Sequence, residues 1–522
     1  MTERFAGTLQ VARHALRRDR VLVTVWTTLL VVVVYASAAA TGSLYPTDAD
    51  RVEAVRAINN SAAVVALYGP ILDEHSLGEL AMTKMTVLYA VILALMFLVV
   101  VRRHTRTEEE SGHAEMLGGT AIGRDALLAG AVLEGVALSV GVGALAALAS
   151  VVGGLPLAGS VGFGASWAGV GLVAVGVTAL ACQLSASSRT CGGFAAAAIA
   201  VLYLMRAVGD VKVERLSWLT PFGWSTRLRA WSDPRWWVLA LYVVLAAATC
   251  AGAQLLRSRR DLGSGVFPAR PGPAHGSPRL ADALALGWRV HRPALTAWTL
   301  GVAAWGLILG GIAPGVGDLL DTDAGRTMIE SIGGVGALED ALLAAVLSIG
   351  AVVITCFGLT VLARGSTDEH DGRTEQVLAT ASSRGSALVA TLLLGFGGVA
   401  WLLAVTGLTT GLGLGRDVAG LLGAAVAQVP AVWVVLAIGT LLFAVRSRWA
   451  VAGWGVLTLF LVLGQLGDLL HLPGWVIGLS PYSRVPAMPV EPFSAGPEAV
   501  LVALSAVLLA AAWWRYRSRD IG

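Results

Sequence analysis

The feature that most restricts this chain is an apolar run that keeps recurring. Twelve stretches of roughly 20 residues, nearly free of charge, follow one another at approximately 21–41, 82–101, 125–151, 164–184, 191–207, 236–256, 293–313, 341–363, 385–410, 420–444, 449–466 and 498–514. About 20 apolar residues in a helix cover roughly 30 Å of hydrocarbon, and within a bilayer only a helix or a closed barrel satisfies its own backbone. Alternating segments of about ten residues, the mark of a barrel strand, do not repeat along the sequence. The expectation is an all-α polytopic membrane protein of twelve transmembrane helices. Composition agrees, since 56% of the 522 residues are hydrophobic and only 14% charged, against about 25% charged in soluble domains.

Orientation follows from arginine, because positive residues are retained on the cytoplasmic side of short loops. With the N-terminus inside, 25 of the 37 Lys+Arg fall in cytoplasmic segments and 10 opposite, while Lys84 and Arg206 lie within spans. Both termini are expected in the cytoplasm. The net charge of +3 reflects this scatter and calls for no nucleic-acid partner. Arg17, Arg18 and Arg20 before an apolar run ending Ala36-Ser37-Ala38 imitate a secretory signal, but the run is long enough to span. The cysteines, Cys182, Cys191, Cys250 and Cys356, lack ligand spacing and read as small packing residues.

The sequence is duplicated. Residues 109–124 (EESGHAEMLGGTAIGR) and 369–384 (EHDGRTEQVLATASSR) align at an offset of 260, which matches Glu109 to Glu369, Gly112 to Gly372, Glu115 to Glu375, Thr120 to Thr380, Ala121 to Ala381 and Arg124 to Arg384. Leu219-Thr220-Pro221-Phe222 and Leu479-Ser480-Pro481-Tyr482 share the offset, and Arg20, Thr24 and Trp26 match Arg292, Thr296 and Trp298 at 272. Residues 1–260 and 279–522 are therefore two six-span halves, with 261–278, rich in Gly, Pro and Ser, as a linker. Six spans return the chain to the side it started from, so the repeats are expected to be parallel.

Each half opens on an amphipathic stretch, Phe5, Leu9, Ala12 and Leu16 in the first and Leu280, Leu284 and Trp288 in the second. These read as interfacial helices; the alternative is that they extend the first span. Residues 217–237 hold five tryptophans among prolines and arginines and read as an interfacial or re-entrant hairpin.

Several chemistries are excluded. The two lysines, Lys84 and Lys212, follow Thr83 and Val211, so there is no Gly-Lys pair for a phosphate-binding loop. No H-E-x-x-H or zinc-spaced Cys/His set occurs. Glu108, Glu109 and Glu110 are sequence neighbours that point in different directions on a helix, with no nucleophile beside them. Within the spans, Glu134 is a candidate cavity or proton-carrying residue, or a structural hydrogen-bond partner, and Lys84 can snorkel to the interface.

The acidic motif itself offers a physical reading. Glycine lets the chain turn beneath the membrane, carboxylates favour the positive end of a short helix, and Glu115, Met116 and Leu117 present one acid and two apolar knobs to a partner. The competing reading is a solvated acidic loop that balances Arg102, Arg103 and Arg106. The duplication at one register favours the first.

Two sixes of spans with E-x-x-G-x-x-E and a following Arg after the second span of each half, the first copy carrying the fuller EE-x-G-x-x-E, resemble the fused ABC-2 type exporter permeases of actinobacteria. That group is linked to tetronasin and other polyketide antibiotics. The resemblance covers nearly the whole chain. It implies an ABC-2 (type V exporter-like) transmembrane domain, not catalytic by itself, that exports a hydrophobic drug, antibiotic or lipid-like substrate. It implies a coupling helix in each half, formed by Glu109, Glu110, Gly112, His113, Glu115, Met116, Leu117 and Arg124, and by Glu369, Gly372, Arg373, Glu375, Val377 and Arg384. Those helices would dock on two copies of a separate ATPase that binds the ATP and Mg. The family has arginine after the glycine, as at Arg373; His113 departs from this. By position, Tyr203, Met205, Phe460 and Gln465 join Glu134 as pathway candidates. The rival is an ion-driven secondary transporter of the major facilitator type, whose basic G-x-x-x-D-R-x-G-R loop motif is absent here.

Overall fold

A computed structural model describes residues 3–60, 62–268, 275–278, 280, 282–313, 335–466 and 473–520, and among these every regular element is helical. The chain divides into two compact units, Met1–Gly272 and Pro273–Gly522.

The first unit begins with α1 (Thr8–Leu44), 37 residues without a break. That is about 55 Å at 1.5 Å per residue, well beyond the roughly 30 Å a bilayer core requires. No Gly or Pro occurs between Thr8 and Thr41, so nothing stops the helix. This corrects the expectation of a separate interfacial helix: Leu9, Ala12 and Leu16 are early turns of α1 itself. Two short helices, α2 (Asp48–Asn60) and α3 (Ala62–Tyr68), then fill the longer loop of this half. The loop is pinned by Asn59, whose Nδ2 donates to the Ile71 carbonyl (2.9 Å) while its Oδ1 accepts from the Ile71 N–H (3.0 Å).

The second span combines α4 (Leu77–Lys84), a π turn over Met85–Tyr89 and α5 (Ala90–His104). A π turn leaves a carbonyl outside the regular ladder, and the fully buried Trp167 donates its indole N–H to the Met85 carbonyl at 3.0 Å. Two small helices, α6 (Arg106–Glu110) and α7 (His113–Gly118), precede α8 (Ala126–Val152) and α9 (Leu157–Ala181). These two spans cross where Gly143 and Gly164 face each other's backbone, so closely that a Cβ on either would collide. The unit ends with α10 (Ser188–Val211), α11 (Pro221–Arg227) and α12 (Val238–Ser258).

The tryptophan-rich segment does more than anchor at an interface. Phe222 and Trp224 are buried around α11, Tyr242 donates from its hydroxyl to the Pro221 carbonyl (2.9 Å), and Trp231 lies against Gly78 and Gly159. Only Trp236 and Trp237 remain exposed.

The second unit repeats the order with α13 (Ala283–Ile312), α14 (Val335–His370), α15 (Arg373–Leu378) and α16 (Arg384–Leu414). It continues with α17 (Val418–Ala427) and α18 (Val429–Val445), joined at Gln428 into one span, then α19 (Ala452–Leu466) and α20 (Ala495–Ser518). The α13 helix passes through Pro293 without ending, so Leu284 and Trp288 also belong to the first span of their unit. Its core is built around Phe357, Leu402, Val435 and Leu436.

Among the described residues, 11 helices are long and apolar enough to cross a membrane. The expected span at 449–466 corresponds to α19, whose 15 residues end where the described segment ends. The expected linker is not free over its whole length. Val266 and Phe267 donate their N–H groups to the Gln183 and Leu184 carbonyls (both 2.9 Å), which ties this stretch to the first unit; residues 269–274 lie outside the described residues. All four cysteines are free thiols. Cys182 and Cys191 are buried, as small packing residues would be.

Candidate functional site

In both units the duplicated motif builds the same local shape. Gly112 (φ 77°) and Gly372 (φ 70°) take the left-handed conformation that glycine adopts without penalty, and each turns the chain into a six-residue helix, α7 or α15. The approaches differ. Thr105 (φ −119°, ψ −87°) breaks the first copy into α5 and α6, whereas α14 runs unbroken to His370 in the second.

The acids that begin the motif are turned inward. Glu109 binds Arg260 through two oxygens (2.7 Å each) and Arg106 through Oε2 (2.6 Å), with all three side chains at most 7% exposed. Arg519 also engages both oxygens of Glu369, at 2.6 and 2.7 Å, but through its single nitrogen Nη2, with both side chains under 10% exposed. The second arginine of the motif completes the arrangement: Arg124 donates to the Arg260 carbonyl (3.1 Å) and Arg384 to the Arg519 carbonyl (2.9 Å). The clamped arginine also reaches one further element in each unit. Arg260 donates to Gln183 Oε1 (2.9 Å), and Arg519 donates to the Phe443 carbonyl (3.0 Å), 260 positions later. Each unit thus staples its motif to the end of its own last span and to the end of its fourth.

This corrects the reading of Glu109, Glu369, Arg124 and Arg384 as contacts for a partner. Both carboxylates are buried and engaged by guanidinium groups of their own unit, so neither faces outward, and Arg124 and Arg384 spend a donor within the unit. Glu110 is similarly occupied, accepting from the Ser188 N–H (2.9 Å) at the start of α10, where a negative charge meets the positive end of a helix. Glu108 is buried against Arg18, and His113 Nδ1 lies 3.2 Å from its Oε2.

What remains outward is the following helix. Glu115 and Met116 are exposed on α7, with His113 beside them and Leu117 half-buried; on α15, Glu375 and Gln376 are exposed and Val377 half-buried. Arg373 is exposed, but its guanidinium is engaged by Asp368 (2.7 Å) and Asp371 (2.7 Å), and the hydrogen bond to Asp368 holds it above its ordinary value. Both surfaces therefore present one free acid at the same position.

The comparisons with known proteins agree in both halves. Residues 280–517 match the family described as multidrug efflux system permease Rv1217c, C-terminal domain. The multidrug efflux system permease protein Rv1217c of Mycobacterium tuberculosis is 37% identical over 528 positions, covering 99% of this chain and 96% of the relative. The chain belongs to this efflux permease family. It is a membrane permease subunit and not an enzyme in its own right.

In this permease the residues proposed by position as a pathway are held by local contacts. The Tyr203 hydroxyl donates to the Leu67 carbonyl (2.8 Å) and its ring carries the Arg206 guanidinium at 4.7 Å. Arg206, fully buried, also donates to the Ala66 carbonyl (2.7 Å) and pairs with Asp210 (3.0 Å), so this cluster caps α3. Met205 is half-buried on the same helix. Phe460 packs on the core of the second unit and its carbonyl accepts from Ser480 Oγ (3.0 Å). The side chain of Gln465 lies outside the described residues. Glu134 is fully buried between Asp19 and His104, not on an open surface. Lys84 is exposed, with its ammonium 5.7 Å from the centre of the Tyr68 ring.

Arg260 and Arg519 escaped the sequence reading, and Glu108 and Arg106 entered it only as a loop acid and a charge for such acids to balance. A signal was present, because Arg260 and Arg519 are 259 apart and both follow the last span of their half. A lone arginine there reads as an ordinary positive flank, and only its partner gives it another meaning.

Proposed function

We propose that this permease is the membrane subunit of an ATP-driven ABC exporter and moves a hydrophobic drug, polyketide antibiotic or lipid-like substrate outward by alternating access. The duplicated α7 and α15, each carrying one free acid on a stapled base, support this reading most strongly. Two like surfaces, one per half, suit a dimer of separate ATPase subunits. The chain has no Gly-Lys pair of its own, so ATP and Mg would be held by that partner.

In this reading the chain has twelve spans in two parallel sixes, both termini lie in the cytoplasm of a bacterium, and α7 and α15 face the cytosol. Closure of the ATP-loaded dimer pushes both short helices. The Glu109–Arg260 and Glu369–Arg519 pairs then carry the push into the last span of each half, because a buried pair engaged at both carboxylate oxygens resists shear better than a solvated one. That movement switches access, and the substrate leaves on the outer side.

The test is reconstitution with a co-expressed ABC ATPase. Glu115→Arg with Glu375→Arg is expected to abolish stimulated ATP hydrolysis and complex formation while the permease stays folded. Unchanged stimulation would show that these helices are not the coupling elements.

A further inference from the structure

Asp19 on α1, His104 at the end of α5 and Glu134 on α8 meet inside the first unit, with side chains no more than 6% exposed. One ligand atom from each lies within 4.8 Å of the others. His104 Nε2 is 2.9 Å from Asp19 Oδ2 and 3.9 Å from Glu134 Oε2. Arg103 reaches Asp19 Oδ1 at 3.1 Å and leaves Oδ2 to the cluster. Yet none of the five atoms Asp19 Oδ1, Asp19 Oδ2, His104 Nε2, Glu134 Oε1 and Glu134 Oε2 makes a hydrogen bond of acceptable geometry. Glu134 is the sharpest case, a fully buried carboxylate with both oxygens unpartnered and His104 Nε2, at 3.9 Å, beyond hydrogen-bond range.

Burying carboxylates without hydrogen bonds is costly, and a cation at their focus removes that cost. One imidazole and two carboxylates from three helices form a donor set suited to a borderline divalent ion. At metal–ligand distances of about 2.1 Å, a tetrahedral ion sets its ligands about 3.4 Å apart, so the observed 2.9 and 3.9 Å require shifts of about 0.5 Å, and the Asp19–Glu134 pair, within 4.8 Å, a closure of at most about 1.4 Å. Two carboxylates neutralise a 2+ charge. The set is confined to the first half, because the matching positions of the second are His291, Arg364 and Leu394.

We propose that Asp19, His104 and Glu134 form a binding site for a divalent transition-metal ion of the zinc class, which crosslinks α1, α5 and α8. Arg18, next to Asp19, holds Glu108 of the acidic loop, so the ion stiffens the base of the first docking helix and not the second.

The test uses the full-length permease in detergent, stripped with a chelator and titrated with Zn²⁺, with metal content measured after desalting. The expected result is one zinc per chain, with affinity falling at least about 100-fold in Glu134→Gln and in His104→Ala. Failure of the wild type to take up zinc saturably would overturn the proposal, as would uptake that neither substitution alters. If the variants do not fold, Co²⁺ added to the wild type decides. Intense visible absorption of a low-symmetry four- or five-coordinate site supports the assignment, and the weak spectrum of hydrated cobalt overturns it.

Discussion

The two copies of the acidic loop share one clamp and differ in almost everything around it. In the first, Arg106 is fully buried and donates to the carbonyls of Ala186 (2.9 Å), Gly263 (2.9 Å) and Ser264 (2.8 Å) as well as to Glu109. One guanidinium thus binds the loop after the fourth span and the strap that leaves the last one. In the second, Ser366 stands at the equivalent position and only bonds Ser447 (2.8 Å). Arg519 is supported instead by the rings of Phe443 (5.4 Å) and Tyr516 (5.3 Å). The constant part, acid to arginine, identifies what the duplicated motif is for; the variable part shows that the halves are stiffened by different means.

The largest effect should come from Glu109→Ala, which strands both Arg106 and Arg260 in a buried site. Breaking a buried pair costs about 3–5 kcal/mol, and the upper end is expected here, read as a fall in the melting temperature of the purified permease. Glu369→Ala strands one arginine, Arg519, which two aromatic rings still face, together with the Tyr516 hydroxyl that donates to Glu369 at 3.3 Å, and should cost about 3 kcal/mol in the same assay. Equal losses at the two sites would break the comparison. Arg106→Ser makes the first copy resemble the second. It should cost about 2–3 kcal/mol through the loss of one of the two arginines on Glu109 and through two unsatisfied carbonyls, those of Ala186 and Gly263, since Ser264 still accepts from Arg260, and should expose 263–264 to proteolysis. Single reversals at the docking surface come next: Glu115→Arg and Glu375→Arg should each weaken ATPase binding by about tenfold, close to 1.4 kcal/mol, without a change in melting temperature. Met116→Gln, which installs the second copy's Gln376, should shift that binding by less than about threefold.

Much of the fold was legible because a bilayer imposes length and composition on every span, and the duplication set the register between halves. The limits of legibility are physical as well. Periodicity showed Leu9, Ala12 and Leu16 on one face of a helix, but a helix end needs a stop signal, and none stands between Thr8 and Thr41. The two glycines were readable as turns, and both have positive φ. Glu109 and Glu115 looked alike in sequence, six residues apart in one acidic stretch. One is buried on two arginines and the other is free, a difference set by a residue some 150 positions away. The Asp19, His104 and Glu134 cluster was visible only in part, since Glu134 alone is conspicuous within an apolar run and its partners lie at span ends, where ionisable residues are ordinary.

The most direct test separates the two kinds of acid in one experiment that reads permease stability and ATPase affinity together. The account predicts that Glu109→Gln with Glu369→Gln lowers the melting temperature of the isolated permease sharply, whereas Glu115→Arg with Glu375→Arg leaves it unchanged and removes ATPase binding. A first pair that leaves stability intact, or a second pair that binds the ATPase as the wild type does, would contradict it.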